Sequence, residues 1–149
     1  MSDAYWLDIK NKERMETIES SDELHYIYKV YSEYEPGEPK LVAKIYEDVN
    51  GELLVKEMVD MDYNYFPPVL LGIFRDWERD DTPTIRRWLE TRVVPKTRQF
   101  LREMLDAEGL PEWNLVDLLK LNQGRYCDDK FFIEVEIRHT ELEKEILSL

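Results

Sequence analysis

The dipeptide Asn50-Gly51, set between KLVAKIYEDV and ELLVKEM, constrains this chain more than any other feature. Asn-Gly tolerates the positive φ that a type I′ hairpin turn demands, and the runs on either side are rich in residues that suit a pleated surface. Two antiparallel strands joined at residues 50–51 are therefore predicted. Upstream, ELHYIYKVYSEY alternates with a period of two: Leu24, Tyr26, Tyr28, Val30 and Ser32 fall on one face, and His25, Ile27, Lys29, Tyr31 and Glu33 on the other. EPGEP, with Pro36, Gly37 and Pro39, separates this run from the hairpin as a turn. YWLDIKN near the start reads as a further strand. Short connections between successive strands make an antiparallel meander the simplest arrangement.

The pattern changes after residue 62. Pro67-Pro68 argues against regular helix or central strand, so residues 63–82 read as a connector that lays apolar groups on the sheet. Helical spacing then takes over. Thr82-Pro83 offers an N-cap and a first-turn proline, with Ile85, Trp88 and Leu89 on one face. Pro95 ends that helix. A second follows with Phe100, Leu101, Met104 and Leu105 as its stripe and Gly109 as its stop. A short helix around 114–121 is capped by Asn114 and closed by Gly124, FFIEVEI alternates as a strand, and HTELEKEILSL reads as a terminal helix. The expected fold class is α+β in one domain of 149 residues. It has a β-rich acidic half (1–62), the connector (63–82) and a helical half with one late strand (83–149). At this length such a domain folds without disulfides or metal.

Composition excludes several function classes. With 33 acidic and 20 basic side chains the net charge is −13, which repels nucleic-acid phosphates. One cysteine, Cys127, allows no internal disulfide and suits a reducing compartment. MSDAYWLDIKNKER has no apolar h-region and no apolar run reaches the ~18 residues of a membrane span, so no signal peptide or membrane partner is expected. The expected location is the cytoplasm of a bacterial host. Only His25 and His139 are available as histidine bases, and neither lies in a nucleophile motif; both read as structural. No zinc spacing and no glycine-rich phosphate loop is present, and Asp128-Asp129 reads as a solvated turn before it reads as a Mg²⁺ or Ca²⁺ site. No cofactor, metal or catalytic residue is assigned.

Charge distribution says more. Residues 1–62 hold 16 acidic and 7 basic side chains, and residues 103–149 hold 12 and 5. Residues 83–102 hold six basic groups (Arg86, Arg87, Arg92, Lys96, Arg98, Arg102) against Glu90 alone. The arginines of this segment either satisfy the protein's own carboxylates, with stems over Trp88 and Phe100, or meet a partner. The acidic body either keeps the chain dispersed or acts as a mimic of nucleic acid. For the second role the candidates are Glu33, Glu35, Glu38, Glu47, Asp48, Glu52, Glu57, Asp60 and Asp62, with Tyr31, Tyr34 and Tyr46 as exposed contact area.

WLETRVVPKTRQFLREMLDAEGL, followed by LLKLNQGRYCDDKFFI, resembles a segment of small proteins from Gram-positive bacteria and their phages. It also resembles the region preceding the kinase-like domain in some HipA-like proteins. The residues carrying the likeness are Trp88, Leu89, Arg92, Pro95, Arg98, Gly109, Leu110, Gly124, Asp129, Phe132 and Ile133. The resemblance covers under a third of the chain and implies phage or mobile-element ancestry. With 16 residues after Ile133 it implies no phosphotransfer. Arg92 and Arg98 flank Pro95, so Asp128 or Asp129 can receive one of them as an ion pair that staples helix to strand. Arg86, Arg87, Lys96 and Arg102 are left for a partner.

The function expected from these features is that of a non-enzymatic, acidic inhibitor of a basic host protein that handles nucleic acid, such as a defence nuclease of the CRISPR type. The alternative is a regulatory or antitoxin-like module that meets DNA or an acidic partner through basic helices 83–102.

Overall fold

The structure, a computed structural model, describes residues 24–34, 37–57, 67–75, 80–138, 146 and 148. Four antiparallel strands, β1 (Leu24–Ser32), β2 (Lys40–Asp48), β3 (Leu53–Glu57) and β4 (Phe131–Ile137), form one sheet in the order β3-β2-β1-β4. Four helices lie between β3 and β4 in sequence: α1 (Pro68–Arg75), α2 (Thr82–Glu90), α3 (Leu101–Ala107) and α4 (Leu115–Asn122). The α+β class and the N-terminal meander are as predicted. The expected strand at YWLDIKN, His139 and most of the expected terminal helix lie outside the described residues. Among the described residues no helix is long and apolar enough to cross a membrane.

One face of the sheet meets the helices. Tyr28 and Val30 of β1, Ala43 and Ile45 of β2, Leu53 and Val55 of β3, and Phe131 and Ile133 of β4 are buried there. Ile85, Trp88 and Leu89 of α2, Leu105 of α3, and Leu118 and Leu119 of α4 pack against them. α2 lies against β3 and α4 against β4. The opposite face carries a separate buried row, Ile27–Tyr46–Leu54, from neighbouring strands. Tyr46 is thus fully buried and is not exposed contact area, because the strand alternation that turns it from the helices sets it beside Ile27 and Leu54.

Several local expectations change. Pro67-Pro68 does not exclude helix, since Pro68 is the first residue of α1, where the missing N–H costs no hydrogen bond. The connector at 63–82 therefore contains an eight-residue helix. Asp81, not Thr82, caps α2: its carboxylate accepts from Thr84 N (3.2 Å) and Thr84 Oγ1 (2.8 Å). Thr82 Oγ1 accepts from Leu53 N at 2.9 Å instead, tying the helix start to β3. Gly51 has φ +82° while Asn50 does not enter the left-handed region, so the turn is not type I′. It closes through Asp48, whose Oδ1 accepts from Asn50 N (2.9 Å) and Glu52 N (3.0 Å). Phe100, at the start of α3, adopts φ +61° and is 67% exposed, so it leaves the stripe that Leu101, Met104 and Leu105 keep.

Candidate functional site

A largely buried polar assembly staples the helices to β4. Arg92, just beyond α2, is 3% exposed. Its Nη1 and Nη2 donate to Asp129 Oδ2 and Oδ1 at 2.8 and 2.6 Å, its Nε to Gly124 O at 2.5 Å, and Nη2 also to Phe131 O at 3.0 Å. The guanidinium carbon stands 5.0 Å from the centre of the Trp88 ring. Asp129 accepts further from Phe131 N at 3.1 Å. Partial burial pushes the Asp129 carboxyl up, but the Arg92 and Phe131 hydrogen bonds and the Arg92 charge outweigh it, so it titrates below its ordinary value. These contacts hold three segments together, and they occupy the carboxylate of the Asp128-Asp129 pair that a cation would need. Arg98 and Asp128 take no part: Arg98 is exposed, and Asp128 meets its neighbours Tyr126 and Cys127, the latter through a long Sγ contact at 3.7 Å.

The central strands β1 and β2 and two helices line a cleft of about 360 Å³. Tyr26 and Tyr28 of β1 and Glu47 of β2 form its floor, and Arg86 and Glu90 of α2 one side. Lys96 and the start of α4, with Trp113 and Asn114, form the other. The buried Tyr28 hydroxyl donates to Glu47 Oε1 at 2.6 Å. Burial first, and then the Glu47 carboxylate, keep that phenol protonated far above the usual tyrosine range. Arg86 Nη2 donates to Gly51 O at 2.7 Å and lies 3.9 Å from Glu47 Oε1, so its charge is tied to the hairpin. The Trp113 ring is fixed by its Nε1 donating to Val94 O at 2.8 Å, and the Lys96 ammonium sits 4.5 Å from its centre. Asn114 Oδ1 caps α4 by accepting from Asp117 N.

Among the described residues the candidate acids do not share one face. Glu33 pairs with Arg125 (2.5 Å) beyond the end of β1, Glu38 is exposed in the β1–β2 connection, and Glu47 lies in the cleft. Asp48 is buried in its own turn at the opposite end of the sheet from Glu33, with Glu52 beside it. Glu57 closes β3, and Glu35, Asp60 and Asp62 lie outside the described residues. The sheet face away from the helices carries charges of both signs, with Glu136 of β4 opposite Ile27. The register places Lys29 opposite Lys44 and Lys44 opposite Lys56, with Glu134 opposite Lys29 at the far side of the row.

The cationic segment is likewise divided. Arg86 is held as above. Arg102 donates to Asp106 Oδ1 (3.0 Å), Pro111 O and Leu110 O (2.8 Å each), closing the loop after α3. Arg87 and Arg98 are exposed and form no ion pair among the described residues, and Lys96 rests on Trp113. His25 stacks on Tyr26 at 4.1 Å. Among the described residues no group of three His, Cys, Asp or Glu side chains could hold a metal ion.

Sequence reasoning passed over Tyr26, Tyr28, Glu90, Trp113 and Asn114 as site residues. Trp113-Asn114 just after Pro111 was the available signal, a bulky ring fixed at a helix start. No protein-family model, curated protein or solved structure matches the chain.

Proposed function

We propose that this protein is a non-enzymatic binding factor that docks onto a basic host protein and competes there with nucleic acid. The partition of charge supports this reading. Residues 1–62 hold 16 acidic and 7 basic side chains and residues 103–149 hold 12 and 5, against one acidic and six basic in residues 83–102. The surplus of acid is therefore unevenly spread along the chain. It is concentrated in stretches such as residues 1–23, with seven acidic and three basic groups. Charge so concentrated steers association with a cationic groove and loses its reach as salt rises. Phage or mobile-element ancestry, which the resemblance of residues 88–133 to small proteins of Gram-positive bacteria and their phages implies, would make a host target of the defence-nuclease kind fitting.

The test is capture from host lysate on the immobilised chain. The expected outcome is retention of a nucleic-acid-binding protein at low salt, its release by excess duplex DNA and by about 0.5 M salt, where the screening length falls to a few ångströms. Inhibition of that protein's activity by a stoichiometric amount of the chain completes it. Recovery of no such protein, or capture indifferent to competing DNA, refutes the reading.

A further inference from the structure

We infer that the cleft between β1, α2 and α4 binds a small zwitterion, an α-amino acid with an apolar or aromatic side chain. The inference goes beyond the docking function and does not depend on it. Four charged groups line the cleft, and they divide into two kinds. Glu47 and Arg86 are engaged with each other, with Tyr28 and with the Gly51 carbonyl, so their charges already have partners. Glu90 and Lys96 form no ion pair among the described residues. They line the same space without meeting, because the Lys96 ammonium is drawn over the Trp113 face.

One carboxylate, one ammonium and a fixed indole therefore face a common volume, with Leu115 and Val116 adding apolar wall. A ligand bearing only phosphate would meet a single uncommitted cation, and a polyamine a single uncommitted anion. A molecule with one charge of each sign satisfies both, its ammonium on Glu90 and its carboxylate on Lys96, and leaves its side chain against Trp113. The size agrees: about 360 Å³ lies at the small end of the ~300–1,000 Å³ typical of ligand sites. Trp113 is prepared for contact, since its Nε1 is already bonded to Val94 O and the ring cannot swing.

The test is calorimetric titration of the full chain with L-phenylalanine, L-leucine, N-acetylphenylalanine and phenylalaninamide. At least one free amino acid is expected to bind saturably, and each singly blocked derivative at least about tenfold more weakly, the loss of ~1.4 kcal/mol from one charge contact. The variants should cross. E90Q should lose the discrimination against N-acetylphenylalanine, and K96M that against phenylalaninamide, with both variants' circular dichroism and Tm unchanged. No saturable binding of either free amino acid up to about 10 mM, well above the ~1 mM that −4.1 kcal/mol corresponds to, overturns the inference. So does equal binding of the blocked forms, or a loss of binding in the variants that ignores which charge the ligand lacks.

Discussion

Removing the carboxylate of Asp129 strands a buried guanidinium, and the cost can be worked from its contacts. In Asp129→Ala, Arg92 loses both charge-assisted hydrogen bonds, of 2.6 and 2.8 Å, while the Gly124 and Phe131 carbonyls remain. Breaking a buried pair by deleting one partner costs about 3–5 kcal/mol. Two remaining carbonyls and a half-exposed partner place this case near the lower end, at about 3 kcal/mol. That is a large part of the ~5–15 kcal/mol that holds a domain together. Arg92→Met with Asp129→Asn removes the charge as well as its partner, so the double variant should be more stable than Asp129→Ala. Guanidinium unfolding at pH 7 with m held in common reads both. The pH dependence has a definite sign. Asp129's folded pKa is depressed, so its contribution is present above the ordinary carboxylate value of about 4 and is lost as pH falls through the lower folded value. The stability gap between the native chain and Asp129→Asn should therefore close below about pH 4. A cost under about 1 kcal/mol for Asp129→Ala, or a double variant less stable than it, refutes the view that desolvated charge sets the energetics here.

Further substitutions probe single contacts. Gly124 has φ +61°, and a Cβ there would meet Ile133 Cβ at 3.0 Å, so Gly124→Ala should cost about 2–4 kcal/mol by thermal or denaturant unfolding. Phe100 is exposed at φ +61°, so Phe100→Gly should leave stability unchanged or raise it by up to about 1 kcal/mol, the reverse of a core deletion. Lys44 stands between two cross-strand lysines, and Lys44→Glu should stabilise the sheet by about 0.5–1 kcal/mol at low salt and by less at high salt. Tyr28→Phe removes the donor to Glu47 and should cost about 1 kcal/mol, while an alkaline absorbance titration of the folded chain should not lose a titrating phenol.

Legibility in the sequence followed the range of the interactions. The alternation in β1 and the apolar stripes of α2 and α4 are local patterns, and strands and helices formed where they pointed. What depended on distant partners was not visible. Thr82 looks like a cap, but Leu53 N, 29 residues away in sequence, takes its hydroxyl and leaves the cap to Asp81. Tyr46 alternates like a surface residue, yet its cross-strand neighbours Ile27 and Leu54 enclose it. That one of Arg92 and Arg98 meets Asp128 or Asp129 follows from residue types. The choice of Asp129 over Asp128 belongs to the loop, where Phe131 N bonds the same carboxylate. The cleft draws on four separate stretches of chain, none with a motif, so no spacing could announce it.

The uneven spread of acid along the chain also bears on how docking must work if the proposed function holds. Surface charge acts over about 8 Å at physiological salt, which is enough to raise an encounter rate and too diffuse to choose one basic protein over another. Discrimination has to come from short-range contact, for which exposed apolar side chains such as Phe100, Leu121 and Tyr126 are available. Lysines 29, 44 and 56 would oppose close approach of a cationic groove to the sheet face that bears them. A basic partner is therefore expected to engage other sides of the molecule, with the lysine-bearing face turned away. On this argument salt governs how fast the complex forms, while substitutions on the frame govern how long it lasts.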